Sequence, residues 1–191
     1  MQNFQEYIKK FGRINDDIIV GLKTNFKKIH LSKKEKFASD GEYARKIGFL
    51  ETGIIRSFIR SSEGNEYTKQ FFIAPSFVGA YSSLITKQPN RIIQQALTDC
   101  TIWVADYSSI EALYEQYHEL ESMGRKIAEY YYLEKEQSII EMALYDAKKR
   151  YLLLRSRFPN LEKQVQQSFI ASYLGVFPTQ LSRIRKKIKD S

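Results

Sequence analysis

From about residue 25 to 106, short apolar runs alternate with Gly, Pro and polar breaks, as in "GFLETGIIRSFIRSSEGNEYTKQFFIAPSFVGAYSSLI". Runs of this length rich in Ile, Phe and Tyr read as strands, and "SSEGNEY" between two of them reads as a hairpin turn. "RIIQQALTDCTIWVAD" supplies one or two further strands, ending at Asp106. Many short strands with regular turn signals predict a sandwich or jelly roll. Ahead of them, "NFQEYIKKFG" has the pattern of a short amphipathic helix packed on the β-domain.

After Asp106 the pattern becomes helical. Ser108, with Glu111 three residues on, forms a capping-box pattern opening "SSIEALYEQYHELE". The run "ESMGRKIAEYYYLEKEQSIIEMALYD" follows, with Gly124 as its one turn-type residue. Leu120, Met123, Ile127 and Tyr130 recur at three- and four-residue steps, and Leu133, Ile140 and Leu144 continue an apolar side. Glu134 and Gln137 interrupt that seam, so it is not a strict heptad. A helix of about 25 residues spans on the order of 37 Å, more than a small β-domain covers. It either crosses the domain as a strut or pairs with its own copy; the apolar stripe favours the pair. Asp146 is then a candidate N-cap for "AKKRYLLLRSRF", which Pro159 ends. Two further helices are expected, roughly Gln166 to Leu174 and from Pro178 onward.

Charge sharpens this division. Residues 148–191 carry eleven Lys and Arg against Glu162 and Asp190, a net +9, whereas the first 147 residues carry 19 cations and 20 anions. Such asymmetry points one end at a polyanion. A composition that is 43% hydrophobic, with 13 Tyr and 12 Phe, provides for a packed core. No apolar run reaches membrane-spanning length and the N-terminus lacks a secretory pattern, so a soluble, cytoplasmic protein is expected. The single Cys100 lies in an apolar-flanked stretch and reads as a buried packing residue in preference to a redox sensor.

Within the basic end, "SFIASYLGVFPTQLSRIRKKI" (Ser168 to Ile188) satisfies the demands of a helix-turn-helix. Ala171 is small where a second helix must cross. Gly175, four residues on, tolerates positive φ in the turn. Ile170, Leu174, Val176, Leu181 and Ile184 supply inward apolar positions, and Pro178 suits the first turn of a helix. The outward face of the second helix then offers Thr179, Gln180, Ser182, Arg183, Lys186 and Lys187, groups able to bond base edges or phosphates. An ordinary helical hairpin with a basic face is the plainer reading, but it leaves the combination unexplained.

"IASYLGVFPTQLSRIRKKI", preceded by a long helix and a β-rich region containing "GIIRSF" and "FVGAYSSL", resembles the Crp/Fnr group of bacterial transcription regulators. The likeness runs along nearly the whole chain in the expected order. It implies an α+β protein: a cyclic-nucleotide-binding-type β-roll or jelly roll over 1–118, a dimerisation helix over 119–145 and a C-terminal helix-turn-helix domain over 146–191. In that family a β-hairpin wing follows the recognition helix; the chain stops at Ser191, so the wing is expected to be missing. The resemblance carries base contacts to Pro178, Thr179, Gln180 and Arg183, of which Pro178 has no side-chain donor. It carries a phosphate contact to Ser168. Double-stranded DNA and a second copy of the chain are the implied partners, with RNA polymerase and a small-molecule effector of unassigned identity left open.

In cyclic-AMP-binding members a phosphate cassette begins Gly-Glu and closes with Arg before Ser or Thr. The matching stretch "FVGAYSSLITKQPNRII" keeps Gly79 but has Ala80 at the Glu position and Asn90 at the Arg position, with Arg91 one residue late. A slip of one residue turns a side chain to the other face of a strand. Gly79, Ala80, Asn90 and Arg91 therefore mark an effector pocket not expected to hold cyclic AMP in the customary way. Other chemistry finds little foothold. His30 and His118 with one cysteine make no zinc or cluster ligand set, the Fnr-type cluster cysteines are missing, and no phosphate-loop, dinucleotide or nucleophile-elbow motif occurs. No cofactor, metal or catalytic activity is expected. The rival reading is a ligand-binding β-barrel or enzyme whose basic helical appendage meets RNA or a membrane surface.

Overall fold

The computed structural model describes residues 2–189; Met1, and Asp190 and Ser191 of the basic end, lie outside the described residues. Two short helices lead the chain, α1 (Gln2–Ile8) and α2 (Asp16–Thr24). Strands β1 (Lys27–Leu31), β2 (Lys36–Ala38), β3 (Lys46–Thr52), β4 (Ile54–Arg60), β5 (Glu66–Ile73) and β6 (Ser76–Val78) follow. Helix α3 (Tyr81–Thr86) precedes β7 (Ile93–Ala96) and β8 (Cys100–Asp106). The rest is helical: α4 (Tyr107–Gln116), α5 (His118–Leu144), α6 (Ala147–Arg157), α7 (Leu161–Gln164), α8 (Gln167–Tyr173) and α9 (Pro178–Lys189).

The strands form two four-stranded sheets, ordered β1-β8-β3-β6 and β2-β7-β4-β5. Neither follows sequence order, as expected when one chain winds between two facing sheets. Strand β8 pairs antiparallel with both β1 and β3, with Trp103 opposite Lys28 and Phe49. Side chains pointing inward, Leu50, Ile55, Val78, Ala96, Cys100, Ile102 and Val104, form one core cluster. Burial raises the Cys100 thiol above its ordinary pKa, which keeps it an inert packing group. The hairpin turn falls where "SSEGNEY" placed it: Ser61 N–H donates to Asn65 O at 2.9 Å, and Gly64 takes a positive φ of 85°.

The chain divides into two compact units, residues 1–57 with 71–131, and residues 58–70 with 132–191. In the first, α1 packs an aromatic face on the roll: Phe4 meets Phe49 edge-on at 5.1 Å between ring centres. Leu120 and Met123 of α5 enter the same cluster, beside Ile110 of α4. Tyr131 accepts a hydrogen bond from Phe77 N–H at 2.9 Å and pairs with the Tyr7 hydroxyl at 3.1 Å. Gly124 has a packing reason inside its helix, since a Cβ there would stand 2.6 Å from the Tyr114 hydroxyl.

Ser108 does not cap α4. Strand β8 runs to Asp106, and Tyr107 is already helical, its N–H donating to Arg45 O at 2.8 Å. The helix start is set by the end of the strand, and Glu111 turns outward to Lys87 at 3.4 Å. Nor do α4 and α5 run on: Tyr117 is extended and breaks them.

Candidate nucleic-acid interface

The second unit builds its helices around explicit caps. The Asp146 carboxylate accepts from Lys149 N–H at 2.7 Å and starts α6, as its residue type predicts. Pro159 follows the end of α6 at Arg157, and the one-turn α7 intervenes before α8. Helix α8 closes with a Schellman turn: Val176 N–H donates to Ala171 O at 3.0 Å and Gly175 N–H to Ser172 O at 3.2 Å, with Gly175 at φ 65°. Left-handed backbone of this kind favours glycine and re-aims the chain into α9.

The core beneath this turn is small. Ile170, Ala171, Leu174 and Leu181 are buried, Ala171 completely, while Val176 and Ile184 are half-buried. Polar ties supplement it. Arg150 donates to Leu174 O at 2.9 Å, satisfying the carbonyl of the residue that caps α8. Glu162 gathers three partners: the Tyr151 hydroxyl donates to it at 2.7 Å, Arg185 lies at 3.4 Å and Arg155 at 3.5 Å. Ser172 clips α8 to the β4–β5 hairpin, accepting from Thr68 N–H and donating to Glu66 O, both at 2.9 Å. Arg157 binds the buried Glu141 carboxylate through both terminal nitrogens, and Gln137 donates to the same group at 3.0 Å. Although burial opposes ionisation, those hydrogen bonds hold the Glu141 carboxyl below its ordinary pKa.

Four arginines of the basic end, Arg150, Arg155, Arg157 and Arg185, thus have partners within the fold. What remains outward on α9 is the face named from sequence: Thr179, Gln180, Ser182, Arg183, Lys186 and Lys187 are all exposed, and so is Ser168 in the first turn of α8. Thr179, Ser182, Arg183 and Lys186 fall on one side by helical spacing, with buried Leu181 opposite. A further residue there escaped the sequence reading. Phe177, immediately before α9, is 78% exposed. Its signal was an aromatic residue at a position that normally holds a capping side chain.

Of the four residues expected at an effector pocket, Ala80 and Asn90 line one cleft, and Gly79 and Arg91 are not in its lining. A cleft of about 240 Å³ in the β-roll is lined by Phe37, Glu42, Tyr43, Arg45, Lys46, Ala80 and Asn90, among others. Asn90 is 5% exposed and fully engaged: its Nδ2 donates to Ser39 O at 2.8 Å and to Ile92 O, and its Oδ1 accepts from Ile92 N–H at 2.9 Å. The Asn90 side chain thus closes a loop. Arg91 is exposed, Ala80 precedes α3 as a buried residue, and Gly79 O accepts from Gln94 Nε2 at 3.1 Å.

Residues 28–117 match the cyclic nucleotide-binding domain family. No curated protein matches the chain. Among solved structures, FixK2 from Bradyrhizobium japonicum is similar at TM-score 0.75 and 17% identity, over 86% of this chain and 85% of that one. The c-di-GMP-responsive global regulator CLP from Xanthomonas campestris gives 0.70 and 16%, over 92% of each chain. A transcriptional regulator of the Crp/Fnr family from Eubacterium rectale gives 0.72 and 14%, over 92% and 84%. The class defined by the fold is a β-roll matching the cyclic nucleotide-binding domain family, followed along the chain by a long helix and a helix-turn-helix. Its fold is that of the Crp/Fnr transcription regulators.

Proposed function

We propose that the chain is a sequence-specific, DNA-binding transcription regulator that works in the cytoplasm as a homodimer, without catalytic activity of its own. The observation that carries this reading is the outer face of α9. It follows a Schellman turn, stands on buried Ala171 and Leu181, and presents Thr179, Gln180, Ser182, Arg183, Lys186 and Lys187 to solvent. Amide and hydroxyl groups beside an Arg can match base edges in a major groove, while lysines meet phosphates. Ser168 at the start of α8 joins the phosphate contacts. The β-roll serves as scaffold or as the sensor of a ligand other than cyclic AMP held in the customary way, a reading supported by the engaged Asn90 and the outward Arg91. RNA polymerase is a further partner if the regulator activates transcription.

The test is selection of bound duplexes from a randomised pool by the full chain, followed by competition against random DNA. Enrichment of one motif, bound at least ~1000-fold more tightly than random duplex, is expected of a specific regulator. Equal affinity for all duplexes, or a preference for RNA or anionic vesicles, would instead mark α9 as a general polyanion surface. Salt dependence alone does not decide, because any polyanion contact shows it.

A further inference from the structure

Phe177 stands out on the α9 face. Its carbonyl accepts the first helical hydrogen bond, from Leu181 N–H at 3.1 Å, so it holds the N-cap position of a twelve-residue helix. Ser, Thr, Asp or Asn there would cap the first turn; a phenyl ring has no acceptor and forgoes that stabilisation. The ring is also no part of the core, being 78% exposed, while Ile170, Leu174 and Leu181 around the turn are buried. A side chain that neither caps nor packs offers its value to something outside the fold.

The surroundings limit what that is. Thr179, Gln180 and Arg183 are exposed on the helix that follows it, in a segment whose outward charge is cationic. An apolar partner surface would leave these polar groups desolvated and unpaired, at a cost. A phosphate backbone would satisfy Arg183 but would lose its hydration against a phenyl ring. The floor of a major groove satisfies both demands, because base edges carry donors and acceptors and thymine adds the one apolar group, its 5-methyl. The residues at the N-terminal end of a recognition helix are those that approach base edges. Resting on the DNA-reading function proposed above, we infer that Phe177 is a specificity residue whose ring packs on the 5-methyl group of a thymine in each half-site.

Deoxyuridine differs from thymidine by that methyl alone, which gives the test. Each thymine of the selected duplex is replaced in turn by deoxyuridine, and affinity is measured for the wild-type chain and for Phe177→Ala. One position per half-site should cost the wild type about fourfold, the worth of burying one methyl-sized group. Phe177→Ala should bind the selected duplex more weakly, bind random DNA nearly as before, and be indifferent to deoxyuridine at that position. Because the ring is exposed, its melting temperature should match that of the wild type. A wild-type profile flat at every thymine, or the same deoxyuridine sensitivity in Phe177→Ala, overturns the inference while leaving the regulator reading intact. A chain that prefers no duplex overturns both.

Discussion

Arg183 and Lys186 sit three residues apart on the same exposed face, yet they have different chemistry to offer. A planar guanidinium can donate two parallel hydrogen bonds to guanine O6 and N7, worth about 1–3 kcal/mol of discrimination. An ammonium is a point charge that meets phosphate whatever the sequence. Arg183→Ala should therefore weaken the selected site by roughly 10- to 100-fold and random DNA much less, whereas Lys186→Ala should weaken all duplexes alike. Binding titrations on both duplexes check this; equal losses in the two variants would make Arg183 another phosphate contact. At this scale the sequence was informative where a residue type has one structural use. Asp146 as a cap and Gly175 as a left-handed turn are found as their chemistry demands. It was uninformative where a partner lies far along the chain. Nothing local shows that Arg185 and Arg155 turn to Glu162, or that the Asn90 amide is consumed by Ser39 and Ile92.

Elements were legible in proportion to the strength of their periodicity. The hairpin, the last two strands, the long helix and the helix pair of the basic end all stand where apolar spacing put them. The failures were at boundaries. Ser108 matched a capping box, but the sheet delivers the chain into α4 two residues earlier, with Asp106 at the N-cap position, and tertiary geometry overrode the local signal. The one-turn α7 is too short to have a period. Between α5 and α6 the decisive contact is Glu141 with Arg157, sixteen residues apart and invisible to any motif. Because the folded carboxyl titrates below its ordinary pKa, the stability it contributes is fully present above about pH 4.5 and is lost as pH falls below that. Glu141→Gln keeps the shape but leaves Arg157 without its counter-charge. It should cost about 1–2 kcal/mol at pH 7, at the low end for a buried pair because Arg157 is partly in water. Denaturant melts across pH should show the two proteins converging as the wild-type carboxyl protonates; a gap that persisted in acid would assign the loss to packing instead.

At the scale of the chain two surface features stand out, a cationic end and an apolar stripe. Cations collect at the C-terminal end, whereas the later part of α5 carries a dense run of exposed apolar side chains. There Tyr132, Leu133, Ile139, Ile140 and Leu144 are all solvent-exposed, Ile139 at 70% and Leu144 at 73%. Pairs seven residues apart, Tyr132 with Ile139 and Leu133 with Ile140, return to nearly the same side of a helix, and Leu144 extends the second pair by four. Such a stripe costs solubility in a monomer; in the homodimer proposed above an identical helix would cover it, and two α9 faces would be offered to the two half-sites of a palindrome. The full chain should thus sediment as a dimer at micromolar concentration. Leu133→Glu combined with Ile139→Glu places four carboxylates where four apolar side chains would be buried. At about 1.5–3 kcal/mol per buried Leu or Ile, dimerisation should weaken by at least ~1000-fold. The variant should remain folded, since neither side chain contributes to the core, and should bind a single half-site as the wild-type protomer does while losing its advantage on the palindrome. A wild-type monomer at that concentration, or a double variant that still dimerises, would remove α5 as the joining surface and leave DNA reading to a single copy.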